Sequence, residues 1–485
     1  MPDLEFNDAS IVALFGHEAG EDERPERLKQ YYFKTDTYER IMADLPLRIL
    51  VGHKGLGKSA LFQIALQDDR RDRVLSIKIQ PDDIVNLKID TEDFLRAIRE
   101  WKDGLLNIMA EATFKSIDLK PTGALDASWI RTKKIASFLA ETFKPLIAEK
   151  ADLDPAKKAV LENFMAKKRL RVYLDDLDRG WSGTKNDIRR ISALLSAARD
   201  LASEHEGLQF RIALRSDVYF LVRTSDESTD KIEGSIVWLT WTNHEILAML
   251  VKRILTFFGR EANEIELVGK SQPELADKLS LVMAEKFHGA GKWRDTPMYK
   301  VLMSLIRRRP RDVVKLCTLA AHGARRSHSH RIESSHFQAI FDEYSQGRLQ
   351  DTINEYRSEL PAIERLLLGM KPTRKERQDG LRYTFDTTRL LQKIAKCTEQ
   401  GGFKFASGKP ATPHELANFL YKINFLTARK QIESGKIERR YFEEQRYLSS
   451  QFVDFGFEWE IHPAYWWALQ PDDQMKIFDD LDISS

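Results

Sequence analysis

The stretch that decides the fold is Ile49-Leu50-Val51-Gly52-His53-Lys54-Gly55-Leu56-Gly57-Lys58-Ser59-Ala60-Leu61. Its apolar beginning predicts a buried strand, its glycines predict a tight loop, and its end predicts a helix. The spacing fits the phosphate-binding pattern G-x-x-x-x-G-K-[ST]. Glycine is required there because the backbone must turn sharply and bring its N–H groups close to phosphate oxygens. We therefore expect a nucleotide site whose binding residues are Gly52, His53, Lys54, Gly55, Leu56, Gly57, Lys58, Ser59 and Ala60.

Two side chains of this stretch have a chemical role of their own. Lys58 is expected to neutralise the β- and γ-phosphates, and the hydroxyl of Ser59 to bind Mg²⁺. The helix that begins there adds the partial positive charge of its N-terminus. The alternative is a chance glycine-rich turn, which the apolar run before it and the helical pattern after it disfavour.

The composition is that of an ordinary folded protein. Its 485 residues are 42% hydrophobic and 31% charged, and a chain of this length has room for about three domains. No run approaches the roughly 18 consecutive apolar residues of a membrane span, and the N-terminus has no apolar leader. The two cysteines, Cys317 and Cys397, exclude a disulfide framework. We therefore expect a cytoplasmic protein with no membrane anchor.

The net charge of +2 hides an uneven distribution. Residues 301–450 hold 28 Lys and Arg against 17 Asp and Glu, whereas the rest of the chain holds 48 against 57. A basic C-terminal half predicts an acidic partner, and DNA is the first candidate. The alternative is that acidic and basic parts match each other within one chain or within a homo-oligomer.

A second informative stretch is an apolar strand that ends in two acids, Asp175 and Asp176. Phosphoryl transfer uses one carboxylate to hold Mg²⁺ and another group to position the attacking water. We assign Asp175 to the metal and Asp176 to the water. The alternative is an acidic loop that closes a core strand. Nearby, Arg179 could pair with Asp178 or reach the phosphate of a neighbouring subunit.

Three further apolar runs complete a predicted sheet. They are residues 74–79, 210–214 and 236–241, and a helix is expected at 187–205. Five strands that alternate with helices favour an α/β fold, a P-loop NTPase parallel sheet of the ASCE type, with ligands at its carboxyl edge. Arg215 ends the fourth strand and is a candidate sensor of the γ-phosphate.

After the sheet, the pattern predicts a helical lid. Within it, Pro310 can begin a helix and Arg311 then lies in the first turn. From there Arg311 could reach back over the nucleotide. Alternatively, the arginines at 307–309 and 311 form a basic surface for polyanions.

The last part of the chain is predicted to be a small α+β module. A capping box at Thr412 and Glu415 starts a helix, and residues 455–462 alternate as a strand does. Helices followed by a hairpin indicate a winged helix. The helix offers little beyond Lys422 to read bases, so backbone contacts or a protein partner are at least as well supported. The basic residues near it are Lys371, Arg374, Lys375, Arg377, Arg429, Lys430, Lys436, Arg439 and Arg440.

These patterns set the predicted domains. They are an N-terminal segment (1–45), a P-loop ATPase core (46–241) with a helical insertion at about 91–168, a helical lid (242–345), a winged-helix-like domain (346–470) and an acidic tail (471–485). His328 and His330 do not predict a metal site, because no cysteine or acid shares their spacing.

Together, the motifs resemble those of bacterial STAND and KAP-type P-loop ATPases. The resemblance rests on the glycine pattern, Asp175-Asp176-Leu177-Asp178-Arg179, Arg215 and Arg309-Pro310-Arg311-Asp312. The order of core, lid and winged helix is also similar to that of the AAA+ origin-recognition ATPases. The resemblance implies that Arg215 and Arg311 sense the nucleotide, and it suggests antiviral defence or DNA-associated switching. The chain lacks the membrane helices frequent in KAP proteins and the C-terminal repeat sensor usual in STAND proteins.

The sequence therefore predicts a Mg²⁺-dependent ATPase that acts as a switch or motor on DNA or on a protein partner. Its catalytic residues would be Lys58, Asp176, Arg215 and Arg311, and its ATP-bound state would assemble subunits. The alternative is a slow-hydrolysing, nucleotide-gated oligomeric scaffold that recruits a separate effector. A small-substrate nucleotide kinase is disfavoured by the double acid and by the large C-terminal half.

Overall fold

The computed structural model describes residues 4–18, 20–72, 74–87, 89, 92–117, 169–225, 227–378, 382–399, 401–432, 437–445, 456–469, 477–478 and 482. Most of the predicted insertion, Lys436, Phe455 and most of the predicted acidic tail lie outside these residues. The chain divides into two compact units. We call Asp36–His53 with Leu61–Leu239 the sheet unit, and Met1–Thr35 with Lys54–Ala60 and Thr240–Ser485 the lid unit. The predicted domain boundaries remain predictions.

The described strands fall into three sheets. They are β1 (Leu47–Gly52), β2 (Leu75–Ile79), β3 (Leu170–Leu174), β4 (Leu208–Arg215), β5 (Ile236–Trp238), β6 (Lys286–His288), β7 (Arg294–Pro297), β8 (Thr384–Phe385), β9 (Leu426–Gln431), β10 (Ile437–Arg440) and β11 (Glu458–Ile461).

The described α-helices lie mostly between and after these strands. They are α1 (Asp8–Phe15), α2 (Pro25–Tyr31), α3 (Asp36–Met42), α4 (Lys58–Asp72), α5 (Pro81–Ile84), α6 (Phe94–Ile117), α7 (Lys185–Glu204), α8 (Ser216–Ser225), α9 (Asn243–Phe257), α10 (Glu264–Gly269), α11 (Gln272–Leu279), α12 (Met298–Leu305), α13 (Pro310–Arg326), α14 (Ser334–Gln338), α15 (Phe341–Tyr356), α16 (Ile363–Gly369), α17 (Arg374–Gln378), α18 (Thr387–Glu399), α19 (Pro413–Lys422) and α20 (Trp466–Leu469).

The sheet unit is built on five parallel strands in the order β2-β3-β4-β1-β5. Every residue of β3 is buried, as expected when helices cover both faces of a parallel sheet. On one face α6 packs against α7, and the indole of Trp101 donates to the carbonyl of Arg190 at 3.0 Å. The prediction of a five-stranded parallel α/β fold of the P-loop NTPase type is confirmed.

Three polar side chains interrupt the apolar pattern of β3 and β4. Arg171, which is 5% exposed, pairs with Asp69 and donates a hydrogen bond from Nε to Gln209 Oε1 at 3.0 Å. Arg211 donates to the carbonyl of Leu45 at 3.0 Å. Burial, reinforced by the charge of Arg171, lowers the pKa of Arg211 to about 9. These contacts tie the two strands to α3 and α4 at a distance from the carboxyl edge.

The lid unit contains the helical region that the sequence predicts, with one exception. A capping box at Thr242 and Glu245 starts α9, with the Glu245 N–H donating to the Thr242 hydroxyl at 3.1 Å. The region is not helical throughout, because β6 and β7 form an antiparallel hairpin within it. The hairpin contributes Phe287 and Trp293 to an aromatic cluster with Phe341, Trp467 and Phe478.

The C-terminal part of the lid unit is an α+β module. Its antiparallel sheet has the order β10-β9-β11-β8, and α18 and α19 precede β9 in the chain. Part of the strand predicted at 455–462 is present as β11 (Glu458–Ile461). The alternation places Glu458 and Glu460 on its outer face, but Glu460 is not exposed there. Glu460 is 1% exposed because it pairs with Arg439 at the centre of the sheet.

No helix among the described residues is both long and apolar enough to cross a membrane.

The cap at the start of α19 gives a stability prediction. A Lys409 hydrogen bond, followed by the Thr412 N–H, lowers the pKa of Glu415 from 4.5 to about 2. A carboxylate with a lowered pKa stabilises the fold above its unfolded pKa and loses this contribution as pH falls through the folded value. Glu415→Gln should therefore cost about 1 kcal/mol near neutral pH, as the loss of a cap does. The cost should shrink between pH 4.5 and about 2.

Urea unfolding of both proteins at a series of pH values measures this difference. Glu364→Gln is the matched control, since Glu364 makes an exposed pair with Arg357 at 3.4 Å outside any cap. Exposed pairs contribute little, so this variant should follow the wild-type curve. A Glu415→Gln cost that is independent of pH would contradict the assignment.

Candidate functional site

The loop of residues 53–57, which we call the glycine loop, joins the end of β1 at Gly52 to the start of α4 at Lys58. Gly55 and Gly57 have φ values of 84° and 93°, in the left-handed region that favours glycine. Lys58 and Ser59 begin α4 and are partly buried. The backbone therefore makes the turn that the glycine pattern predicts.

Donors from the lid unit bind three successive carbonyls of the glycine loop. The Lys54 carbonyl accepts from Arg309 Nη1 at 3.1 Å, and the Gly55 carbonyl accepts from the Arg311 N–H at 3.3 Å. The Leu56 carbonyl accepts from the indole of Trp241 at 3.0 Å. The loop is thus fixed from one side by side chains and backbone outside it.

The glycine loop also meets an acid. The Lys54 N–H donates to Glu355 Oε1 at 3.0 Å, and Glu355 Oε2 lies 3.1 Å from Arg309 Nη1. Glu355 and Arg309 are 4% and 2% exposed. Neither residue was identified as a site residue from the sequence. Arg309 lies beside Arg311 in a proline-linked run, which is a local signal, whereas no pattern distinguishes Glu355 from other helical glutamates.

At the carboxyl edge of the sheet, the acidic pair has two different environments. Asp175 follows β3, is 3% exposed and lies 3.2 Å from Lys78 Nζ. Asp176 has a φ of 58°, which turns the chain away from the strand. Its carboxylate is 40% exposed and lies 3.2 Å from Arg179 Nε. The buried acid and the exposed acid are therefore suited to different roles.

Arg215 ends β4 and pairs in register with Gly52 at the end of β1. Its guanidinium forms two hydrogen bonds with Asp217, at 3.0 and 2.6 Å, and one with Asp178 at 3.1 Å. The local pair considered for Asp178 and Arg179 is therefore not the one formed, because Asp178 faces Arg215 and Arg179 faces Asp176. Two carboxylates fix Arg215 at the edge where the sequence places a sensor.

Arg311 begins α13 next to the glycine loop. A Cβ built on Gly55 would lie 3.1 Å from the Arg311 Cβ, closer than an ordinary contact, and the φ of 84° also favours glycine there. The backbone of Arg311 thus lies against the glycine loop within the lid unit, and its reach over the nucleotide stays a prediction.

The neighbouring Arg307 belongs to a buried network. Its guanidinium forms a bidentate pair with Asp312 at 2.8 and 2.9 Å, and Arg348 reaches the same carboxylate at 2.7 Å. Burial opposes the ionisation of Asp312, but the two guanidinium groups outweigh it and hold its pKa well below the usual range. Arg307 also donates to Thr352 and to Tyr465, each at 3.0 Å. This network links α13 to α15 and to the C-terminal module.

Arg308 faces in another direction. It has a φ of 52° and pairs with Glu444 at 2.5 Å, with its guanidinium 4.5 Å from the Tyr441 ring centroid. With Arg307 and Arg309 buried, the alternative of a basic surface made by this run is wrong. The arginines are bound within the lid unit instead.

The basic residues of the C-terminal module divide into two groups. Arg429 and Arg439 pair with acids, Arg429 with Glu458 at 2.7 Å and Arg439 with the buried Glu460. Lys371, Arg374 and Lys375 are exposed on and before α17. Pairing of basic with acidic residues within the chain, one of the alternatives from the sequence, thus applies to Arg429 and Arg439. The side chains of Lys371, Arg374 and Lys375 are exposed to solvent.

The donors predicted for Mg²⁺ fit that ion chemically. A hydroxyl at Ser59 and a carboxylate at Asp175 are hard oxygen ligands, and Mg²⁺ commonly takes only one or two protein ligands beside phosphates and waters. Among the described residues, no group of three or more His, Cys, Asp or Glu could hold a metal by itself.

Comparisons with known proteins give weak likenesses over most of the chain. A family model described as the FunZ-associated C-terminal helical domain matches residues 245–353, within the helices of the lid unit. A protein of Escherichia coli (strain K12), assigned by name to transposon gamma-delta, is 20% identical over 534 aligned residues, covering 99% of this chain and 71% of that protein.

The solved structures to which the chain is similar include ORC2 of Aeropyrum pernix with ADPNP and ADP, at 12% identity and a TM-score of 0.39, covering 90% of this chain and 88% of that one. Cdc6p of Pyrobaculum aerophilum has 12% sequence identity and a TM-score of 0.30, with 99% of this chain and 100% of that chain covered. Drosophila ORC bound to DNA has 10% sequence identity and a TM-score of 0.31, with 97% of this chain and 95% of that chain covered. The fold assignment made here rests on the strand order and on the glycine loop.

The two left-handed glycines give a matched pair of variants. Gly57→Ala should cost about 1 kcal/mol, because an L-residue is strained at this φ. Gly55→Ala should cost up to about 1 kcal/mol more, since its Cβ would also press on Arg311. Urea unfolding measures both, with Gly347→Ala in helix α15 as a control expected to be neutral or stabilising. A Gly55 variant as stable as the Gly57 variant would contradict the close approach of Arg311.

Proposed function

We propose that this chain binds ATP with Mg²⁺ and hydrolyses it. The observation that carries the proposal is the glycine loop, whose carbonyls are bound on one side at Lys54, Gly55 and Leu56. A loop held in this way presents N–H groups on its other side, which is the chemistry that binds phosphate oxygens. The acids after β3, at the carboxyl edge of a parallel sheet, support hydrolysis in addition to binding.

The roles of the phosphate-binding residues follow from their chemistry. The N–H groups of the glycine loop would surround the phosphates, and Lys58 would neutralise their charge. Ser59 and Asp175 would hold Mg²⁺, which when bound neutralises charge that develops on the phosphate oxygens. Lys78, 3.2 Å from Asp175, would help to fix the orientation of that carboxylate.

Asp176 would position the attacking water and accept its proton. Its exposure allows a water molecule to reach it, and its pair with Arg179 is a surface pair that costs little to rearrange. Arg215 would sense the γ-phosphate from the end of β4, where Asp178 and Asp217 fix its guanidinium. Arg311 would report the state of the nucleotide to α13, whose first turn it occupies.

We infer that this state is passed to the C-terminal module, which acts on DNA or on a protein partner as a winged helix would. Arg307 and Arg308 support this step, because they connect the start of α13 to Tyr465 and Glu444 within the lid unit. ATP would also drive assembly of a homo-oligomer. The composition favours a cytoplasmic location, and the sequence resemblance suggests a role in antiviral defence.

A second candidate function is the nucleotide-gated scaffold that hydrolyses ATP slowly and recruits an effector. The observation that favours it is that Asp176 and Arg215 both lie in ion pairs with other side chains, at 3.2 Å from Arg179 and 2.6 Å from Asp217. Residues held in this way must be released before they can act on water or on a phosphate. The turnover number distinguishes a motor from a scaffold.

Lys58→Ala and Asp176→Asn separate binding from hydrolysis. Lys58→Ala should weaken binding of ATP at least tenfold, because it removes the charge that faces the phosphates. Asp176→Asn should bind ATP like the wild type and lose turnover by roughly 100-fold or more, the range for a positioned acid–base group. Calorimetric titration and steady-state phosphate release measure the two effects.

The control for these variants is Lys270→Ala, which removes a partly exposed lysine paired with Glu266 of α10. It should alter neither quantity. Unchanged ATP binding by Lys58→Ala would show that the glycine loop is not the phosphate site.

The exposed basic residues test the DNA partner. Replacing Lys371, Arg374 and Lys375 together by alanine should weaken binding of double-stranded DNA and reduce its salt dependence, since each phosphate contact contributes to the slope. Fluorescence anisotropy at two salt concentrations measures both quantities. The control replaces Lys270, Lys278 and Lys286, which carry the same charge elsewhere in the lid unit. Equal losses in the two triple variants would point to nonspecific attraction, and no DNA binding by the wild type would turn the search to a protein partner.

A further inference from the structure

We propose that Glu355 and Arg309 are positioning residues that hold the glycine loop in its phosphate-binding conformation. The inference rests on the proposed function, since it requires that this loop binds phosphates. Both residues lie outside the glycine pattern, Arg309 just before α13 and Glu355 near the end of α15. Their contacts with each other and with Lys54 lie within the lid unit.

The orientation of the loop amides follows from the planarity of the peptide bond. In a trans peptide the C=O of one residue and the N–H of the next point in opposite directions. The carbonyls of Lys54, Gly55 and Leu56 point toward Arg309, Arg311 and Trp241. The N–H groups of Gly55, Leu56 and Gly57 therefore each point away from the donor that binds the carbonyl before them. Successive backbone N–H groups in a turn form anion-binding concavities.

Of the three donors, Arg309 is the one whose position depends on a second charged residue. Its Nη1 donates both to the Lys54 carbonyl and to Glu355 Oε2, each at 3.1 Å. Glu355 Oε1 accepts the Lys54 N–H at 3.0 Å. One ion pair therefore binds both backbone groups of Lys54, and the peptide that follows Lys54 cannot rotate while the pair is intact.

Burial makes the two charges depend on each other. Side-chain exposure is 3% for Arg309 and 2% for Glu355. Among the described residues, Nε and Nη2 of Arg309 are buried without a hydrogen-bond partner, so the contacts of Nη1 are its main compensation. A buried charge that loses its partner is strongly unfavourable. If the carboxylate is removed, the buried guanidinium loses its partner and is expected to move toward water. It then releases the Lys54 carbonyl.

The consequence for a ligand is specific to phosphate. Once released, the peptide between Lys54 and Gly55 can turn its carbonyl toward the space that an anion would occupy and withdraw the Gly55 N–H from it. Only the fraction of molecules with the correct loop would then bind, and the apparent affinity falls by that fraction. Contacts with the nucleoside part would be unaffected.

Glu355→Gln in the full chain tests the proposal. Glutamine offers one acceptor oxygen in place of two, so it cannot accept from Lys54 and Arg309 as the carboxylate does. We expect MgADP to bind roughly tenfold more weakly, which corresponds to one hydrogen bond to a charged group. Inorganic pyrophosphate should show the same fold-loss, because it carries only the part of the ligand that the loop binds. Calorimetric titration at 20 °C measures both.

Two further variants separate positioning from stability. Arg309→Lys keeps a single charged donor that can reach the Lys54 carbonyl and Glu355, and should restore most of the affinity that Arg309→Met loses. Glu359→Gln is the control, because Glu359 is also buried and pairs with Lys422 at 2.8 Å without touching the loop. A role in stability alone would lower the unfolding temperature of the Glu355 variant and leave its affinity unchanged at a temperature where all molecules are folded.

The outcomes are distinguishable. If the wild type binds MgADP and Lys58→Ala does not, but Glu355→Gln and Arg309→Met bind like the wild type, the positioning role is wrong and the proposed function stands. The positioning role is also wrong if Glu355→Gln weakens MgADP and leaves pyrophosphate unchanged. If the wild type binds neither ligand, both the proposed function and the positioning role are wrong. Should Glu355→Gln fail to fold, the comparison of Arg309→Lys with Arg309→Met still decides.

Discussion

A backbone loop that binds an anion must turn its carbonyl groups away from that anion, and in this protein the requirement is met from outside the loop. Arg309, Arg311 and Trp241 each bind one carbonyl of the sequence Lys54-Gly55-Leu56. The glycines permit the turn but do not select it, since glycine tolerates many conformations. The donors select it. The loop therefore depends on side chains that follow it by about 180 residues or more in the chain.

The run Arg307-Arg308-Arg309-Pro310-Arg311 distributes four arginines among three places. Arg307 enters the network of Asp312 and Tyr465, Arg308 reaches Glu444, and Arg309 and Arg311 meet the glycine loop. Pro310 contributes by starting α13, and the residue between the two buried arginines, Arg308, has a positive φ. If a change at the glycine loop moved α13, the contacts of Arg307 and Arg308 with the C-terminal module would change too. These contacts physically connect the two parts of the proposed switch.

The parts of this structure that sequence reasoning predicts are those set by local pattern. Apolar runs between turns predicted all five strands of the parallel sheet, and the capping box at Thr412 predicted where α19 begins. The partners of charged residues could not be predicted in the same way, because an ion pair can join residues that are distant in sequence. Glu355 meets a loop 301 residues earlier. Glu460 looks exposed by its place in the alternation and is buried because Arg439 pairs with it. The roles of the predicted site residues themselves remain to be tested.

The most direct test of the account is amide hydrogen exchange at Gly55, Leu56 and Gly57, measured without ligand, with MgADP and with adenosine. If these three N–H groups bind phosphate oxygens, MgADP should protect them strongly and adenosine, which has no phosphate, should not. Protection that is equal with adenosine, or no protection by MgADP, would contradict the claim that this loop is a preformed phosphate site.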